Sequence, residues 1–339
     1  MNGNPTVTAT LMGLIVGGAG VVAAGVMLAR SGDVLAARTR LGGLWFGMVF
    51  LAFATSLPEL VTAATAVRIG APDLAAGDLF GSNMANMALL ALLNLLPGAA
   101  VFQRAALDQS LAASHAISMT SIAAAFVLIG PPPLFGWIGL GPVILLMAYL
   151  AGTRAIFMHS ATAREAVAEA ETVEAPTTRA GWTTRAAAGR FLLGMAIVAV
   201  AAPLFAISAD GVVRLTGLHE SFVGAVVLAV ATSLPEFVAS LAAIRTGAYD
   251  LAVANLFGSN AINMVMLAPL DLLHTSGTLL SSISDVHAFA ALASVVMMSL
   301  AFGAIVFRTE RRIMSLEPSS ALIVLVYFLT LAVLYGWSG

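Results

Sequence analysis

The stretch Ala-Thr-Ser-Leu-Pro-Glu occurs twice, at 54–59 and 231–236, each time inside a long apolar run. Thr55 and Glu59 are four residues apart and Ser56 and Glu59 three apart, spacings that place hydroxyls and carboxylate on one helix face. Thr232, Ser233 and Glu236 repeat the arrangement. Pro58 has no N–H, so the carbonyl of Ala54 loses its helical partner and the preceding turn loosens; Pro235 does the same to Ala231. In hydrocarbon a freed carbonyl is tolerated only where protein, water or an ion takes it up. The motif therefore gathers hard oxygen ligands alone, the preference of sodium and of calcium, which takes roughly six to eight oxygens. A carboxylate at mid-bilayer costs about 2.5–3.5 kcal/mol on the insertion scale, so Glu59 and Glu236 are functional candidates by default.

A second polar stripe follows each motif. Asp78, Ser82 and Asn86 recur at i, i+4 and i+8, and Asn255, Ser259 and Asn263 repeat the pattern. Asn83 and Asn260 lie one step round the helix, where hydrogen bonds to the broken helices are expected. His115, His219, His274 and His287 are scattered, unmatched between the two copies, and read as structural or interfacial.

The elements that carry these residues must cross a membrane. Of 339 residues 60% are hydrophobic and 9% charged, with a mean hydropathy of +0.98, more apolar surface than a water-soluble fold of this length can hide. Ten apolar segments of spanning length are expected, at roughly 9–29, 43–67, 74–97, 110–130, 134–157, 190–209, 219–244, 250–271, 286–307 and 319–337. The first five residues carry no basic side chain, so the first segment reads as a true span and not a cleaved signal peptide. There is no cysteine, which excludes disulfides and thiolate metal sites. All 15 basic residues are arginine; with ten spans and the N-terminus outside, only Arg68 and Arg214 fall in outward loops. The positive-inside rule then puts both termini outside and the loop 159–189 in the cytoplasm.

Offsetting the chain by 177 residues pairs 51–87 with 228–264, and 23 of those 37 positions are identical, scarce Pro, Glu, Asn, Arg and Asp among them. Five helices per half is an odd number, so the second copy enters the membrane inverted. The expected organisation is a first five-helix repeat at 1–158, a linker at 159–189 and an inverted second repeat at 190–339, all α-helical, with helices 2 and 7 broken. Inverted repeats with broken helices are the architecture of secondary transporters, which bind cargo near the midplane and alternate between two openings. The linker, with Glu165, Glu169, Glu171 and Glu174, reads as a solvated connection, not a regulatory cation site.

With Thr-Ser-Leu-Pro-Glu and Gly-Ser-Asn in both halves, the sequence resembles the sodium/calcium exchanger family of the cation/calcium antiporter superfamily, in its compact microbial form. The resemblance covers essentially the whole chain. It implies four ion sites in a diamond at the membrane centre, with Glu59 and Glu236 as central carboxylates. It makes Thr55, Ser56, Thr232 and Ser233 flanking ligands, together with the backbone carbonyls of Ala52 and Ala229. Ser82, Asn86, Ser259 and Asn263 would complete the sites. Alanine stands before Thr-Ser at 54 and 231, where the family usually has glycine. The position of Asn263 is an aspartate in some members, and Asp78 stands where asparagine is usual. The proton-coupled branch carries Gly-Asn-x-x-Glu on the broken helices, and neither half has it.

The expected function is alternating-access exchange of calcium for sodium, with those ions and the lipid bilayer as partners, no cofactor, no nucleic acid and no enzymatic step. A cation/proton antiporter, using Glu59, Glu236 or Asp78 as the proton carrier, is the alternative. A passive channel and an intramembrane hydrolase are remote ones; the hydrolase lacks any His-Glu-x-x-His or nucleophile motif. Asp78 either supplies a charge to the cations, carries a proton or is a bystander at the rim.

Because the chain has no cysteine, single substitutions report topology directly. An impermeant maleimide added to intact cells should label Ser338→Cys and leave Ala175→Cys unlabelled until the membrane is opened. Labelling of Ala175→Cys from outside would overturn the arginine-based orientation.

Overall fold

The computed structural model describes residues 6–36, 46–168, 182–245, 247–308 and 317–337. Among the described residues, seven helices are long and apolar enough to cross a membrane. They are α1 (Val7–Ala36), α4 (Gln109–Ile129), α5 (Leu140–Ala168), α6 (Thr184–Thr216), α8 (Tyr249–Leu273), α9 (Val286–Phe307) and α10 (Pro318–Gly336). Two more spans are bent pairs: α2, Met48–Thr55 then Leu57–Arg68 at 53°, and α7, Glu220–Thr232 then Leu234–Arg245 at 40°. The tenth long helix is α3 (Pro72–Leu95), whose 24 residues include Asp78, Asn83, Asn86 and Asn94, which lower its hydropathy. Its repeat counterpart α8 has the same length to within a residue and does qualify. The expected linker is helical at both ends, since α5 runs to Ala168 and α6 starts at Thr184. Its acidic centre lies outside the described residues.

Both bends fall where the prolines require. Pro58 and Pro235 occupy the first turn of the second half-helices, where a missing N–H costs nothing, and cannot be tolerated one turn further in. Ser56 (φ −87°, ψ 8°) and Ser233 (φ −80°, ψ −2°) are the joints. Upstream of each joint the helix widens into a π-helical turn, Phe46–Leu51 in one half and Gly224–Leu228 in the other. Downstream, Gly70 and Gly247, both at φ +83°, end the second half-helices and turn the chain into α3 and α8.

The two repeats interlock. α3 lies against the first half of α7, so close that a Cβ on Gly81 would stand 2.6 Å from Cα of Ala225. In the mirror contact, a Cβ on Gly258 of α8 would stand 2.3 Å from the carbonyl oxygen of Met48 in α2. Each repeat thus supports the broken helix of the other. At the axis between them, Asn83 Nδ2 donates to the Asn260 carbonyl and Asn260 Nδ2 to the Asn83 carbonyl, both at 3.3 Å. Asn86 Nδ2 donates to Asn260 Oδ1 at 3.0 Å and Asn263 Nδ2 to Asn83 Oδ1 at 3.1 Å. The helix ends are tied in the same paired way. Asn94 Oδ1 accepts the Phe102 N–H at 3.0 Å, and Asp271 Oδ1 accepts the Leu279 N–H at 2.7 Å.

Substitutions at the interlock should be costly because backbone, not a mobile side chain, stands in the way. Gly81→Ala and Gly258→Ala should each lower the thermal midpoint in detergent, by the equivalent of about 1–3 kcal/mol of overpacking. Gly189→Ala, on α6 with nothing within 4 Å, should leave it unchanged or raise it. Equal behaviour of all three would refute the interlock.

Candidate functional site

The joints of α2 and α7 meet the polar stripes of α3 and α8 in the middle of the molecule. Thr55, Ser56, Glu59, Asp78, Ser82, Asn86, Thr232, Ser233, Glu236, Ser259 and Asn263 are all fully buried, as are Ala52 and Ala229. The packing dictates the pairing: α8 serves the α2 joint and α3 the α7 joint. Ser56 Oγ donates to Glu236 Oε1 at 3.0 Å and lies 3.1 Å from Ser259 Oγ, which itself reaches Glu236 Oε1 at 3.3 Å. On the other side Thr232 Oγ1 donates to Asp78 Oδ1 at 3.0 Å and stands 3.5 Å from Ser82 Oγ. Asn83 and Asn260, expected to bond the broken helices, bond across the repeat axis instead, because α3 and α8 touch there.

The backbone around each joint is engaged. The Ala52 carbonyl accepts the Ser56 N–H at 2.9 Å and lies 3.2 Å from Thr55 Oγ1. The Ala229 carbonyl accepts the Ser233 N–H at 3.0 Å and lies 3.4 Å from Thr232 Oγ1. Each carbonyl has a second lone pair, so it can face an ion once the threonine hydroxyl turns to the alternative acceptors, Leu51 at 3.1 Å and Leu228 at 2.9 Å.

What distinguishes the site is the oxygen left over. Neither Glu59 oxygen meets a donor from another residue, and Glu236 Oε2, Asp78 Oδ2, Ser233 Oγ, Asn86 Oδ1 and Asn263 Oδ1 are buried without a hydrogen-bond partner. The two asparagines spend their N–H groups on the axis and keep their carbonyl ends free, the orientation a cation requires. Among the described residues the ion pairs are His159–Asp108, Arg214–Asp210 and His287–Asp73, and none reaches Glu59, Asp78 or Glu236. Buried carboxylates without a protein counter-charge are expensive, and a cation is the group that relieves them. Among the described residues no three His, Cys, Asp or Glu side chains are grouped to hold a metal by themselves, so hydroxyls and amides have to complete any shell.

Two neighbours, Ser240 and Thr62, escaped the sequence reading, and Asn255 was placed on the polar stripe without a partner. Asn255 donates to Ser240 Oγ at 3.2 Å and to the Glu236 carbonyl at 3.5 Å, while Thr62 Oγ1 is buried without a partner. The signal was present, since Thr62 and Ser240 sit three and four residues beyond the glutamates and share their helix face. His287 is a structural group, as expected: its Nε2 lies 2.9 Å from Asp73 Oδ1 and 3.1 Å from Ser221 Oγ, joining the starts of α9, α3 and α7.

Comparison with known proteins places this arrangement. The family model described as "Sodium/calcium exchanger protein" matches residues 9–154 and 186–336. Among curated relatives, the candidate antiporter CaxA of Alkalimonas amylolytica is 27% identical over 271 residues, covering 76% of this chain and 79% of its own. Inner membrane protein YrbG of Escherichia coli is 29% identical over 274 residues, 78% of this chain and 79% of its own. Among solved structures, the sodium-calcium exchanger NCX_Mj soaked with 10 mM Na+ superposes with a TM-score of 0.61 at 19% identity. That match covers 96% of this chain and 99% of the exchanger, and it concerns the fold. The chain is a multi-pass membrane protein that belongs to the sodium/calcium exchanger family, a family of secondary cation antiporters and not of enzymes.

Proposed function

We propose that the chain exchanges calcium for sodium by alternating access, with both ions held between the joints of α2 and α7. The observation that carries this reading is the buried, oxygen-only cluster whose carboxylates have no protein counter-charge. Glu59 and Glu236 supply the charge that a divalent ion needs. Ser56 and Ser259 hold Glu236 Oε1 and leave Oε2 to the ion. Thr55, Ser233, Thr232 and Ser82, with the carbonyls of Ala52 and Ala229, offer neutral oxygens suited to sodium, and Asn86 and Asn263 close the set with their amide oxygens. Asp78 adds a third carboxylate on the α7 side. All the donors are hard oxygens, the type that binds sodium and calcium and discriminates against softer metals.

The joints give the ions their leverage. Each first half-helix ends at the site and each second half begins there, with a glutamate in the first turn beside its own N–H dipoles. An ion that bridges residues of both joints changes how the half-helices pack. The inverted relation of the repeats means that a conformation open to one side has a mirror open to the other. Both termini face outward and the segment 159–189 lies in the cytoplasm in this reading, as the arginine distribution requires.

Calcium uptake into proteoliposomes under an imposed sodium gradient, compared with an imposed pH gradient, tests the coupling ion. Uptake should follow the sodium gradient; uptake that follows only the pH gradient would replace sodium by the proton. Glu59→Gln and Glu236→Gln should each bring exchange down to background while the protein still inserts and elutes as a folded species. Near-parental flux in either variant would remove the central pair from the mechanism.

A further inference from the structure

The connection between α4 and α5 is built unlike its counterpart in the other repeat. From Leu128 to Leu140 the chain reads Leu-Ile-Gly-Pro-Pro-Pro-Leu-Phe-Gly-Trp-Ile-Gly-Leu, without a single charged, hydroxyl or amide side chain. Connections that face water are ordinarily marked by Ser, Thr, Asn and Asp as well as Gly and Pro. At the repeat offset of 177 residues, the connection between α9 and α10 carries Arg308, Glu310, Arg311, Arg312 and Glu317. Equivalent connections of inverted repeats lie on opposite faces of the membrane. One has the composition for water; the other does not.

The apolar connection folds into a short hairpin, β1 (Pro133–Phe135) antiparallel to β2 (Ile138–Gly139), turning at Gly136 with φ +59°. Its base is tied to the end of α8 and the loop that follows. Asp271 Oδ2 accepts the Gly139 N–H and Asp271 Oδ1 the Leu279 N–H, both at 2.7 Å. Ser281 Oγ donates to the Pro131 carbonyl at 3.0 Å, and Trp137 Nε1 to the Leu272 carbonyl at 3.4 Å. The tip is left uncovered: Leu134, Phe135 and Trp137 are exposed, Phe135 by 80%. Exposed apolar surface continues through Ile129 at the end of α4 and along the outer face of α5 at Met147.

Backbone polar groups decide whether such a segment can leave water, because hydrocarbon satisfies none of them. Pro131, Pro132 and Pro133 have no N–H to satisfy, strand pairing takes up further groups, and Asp271 and Ser281 hold the base. The indole N–H of Trp137 already has its acceptor. What faces outward is aliphatic chain and aromatic ring, the composition that settles at the membrane interface. We propose that the hairpin 133–139 inserts into the adjacent lipid leaflet as an anchor, and through Asp271 fixes the end of α8 at the bilayer surface. Lipid is the occupant because the exposed tip is continuous with the lipid-facing sides of α4 and α5. The inference stands whichever ion the chain exchanges.

Spin labelling of the cysteine-free chain, reconstituted whole into phosphatidylcholine vesicles, tests it. A nitroxide on Phe135→Cys is compared with one on Met147→Cys, on the exposed face of α5, and one on Thr275→Cys, in the exposed loop after α8. Oxygen concentrates in hydrocarbon, whereas a nickel chelate stays in water. The label at 135 should behave as at 147, with frequent oxygen collisions and several-fold fewer nickel collisions than at 275. Nickel collisions as frequent as at 275 would place the tip in water and overturn the proposal. Few collisions with either reagent would mean that a second copy or another protein covers the tip, and would overturn it too. Adding Asp271→Asn should sharpen the spectrum at 135, since one of the two N–H groups loses its acceptor; Trp137→Phe makes the same comparison if that variant does not fold. A spectrum unchanged by the variant measured would overturn the tie to α8.

Discussion

The reciprocal contact between α3 and α8 is the constraint on which the rest of the molecule depends. Asn83 and Asn260 each donate a side-chain N–H to the other's backbone carbonyl across the repeat axis, and Asn86 and Asn263 add side-chain bonds to the same pair. In a hydrocarbon solvent there is little hydrophobic drive between helices, so close packing at small residues and interhelical hydrogen bonds have to hold the bundle together. Gly81 and Gly258 supply the close packing on either side of that clasp. With α3 and α8 fixed to each other, each presents its polar stripe to the other repeat's broken helix. The site is thus built from both repeats at once, and neither half alone could form it.

The same arrangement explains why the broken helices survive in a membrane. A proline joint frees backbone groups, and water is not available to satisfy them. Here the joints are buried between α3 and α8, where Ser56 and Ser233 N–H groups still find Ala52 and Ala229. The remaining polar groups are grouped at one place, which converts a local defect into a concentration of oxygen. The asparagine clasp adds to this by consuming N–H groups and sparing carbonyl oxygens.

Among the polar groups that tie the helices together, departures from symmetry are confined to a few positions. Asp73 and Asp250, repeat counterparts, both accept a backbone N–H from a loop of the other repeat, Ser284 at 2.7 Å and Ala106 at 2.6 Å. Only Asp73 also meets a histidine, because the counterpart of His287 is Ser110. Asp78 and Asn255 differ in the same spirit, one facing the site and the other bracing a helix. Elsewhere the repeats keep equivalent bonds, such as those of Asn94 and Asp271.

Much of this was legible in the sequence, for reasons of solvent. A bilayer makes every buried charge and every proline costly, so Glu59, Glu236, Pro58 and Pro235 stand out from an apolar chain without any structural information. The internal repeat then doubled each signal and located the joints; the ends of α4, α9 and α10 fall within a residue of expectation, while α1, α5 and α6 depart from the expected spans by six residues or more at one end or both. The partners of the polar groups were not legible. Periodicity places Asn83, Asn255 and Asp78 on a helix face but does not say which helix packs there, because in lipid any polar face can meet any other. That Asn83 bonds across the axis, that Asn255 turns back to Ser240 and that Asp78 reaches Thr232 followed only from the interlock of the two repeats. The residue types and spacings determined the oxygen chemistry; the crossing of α3 and α8 over the opposite joints decided which oxygens remain free to hold an ion.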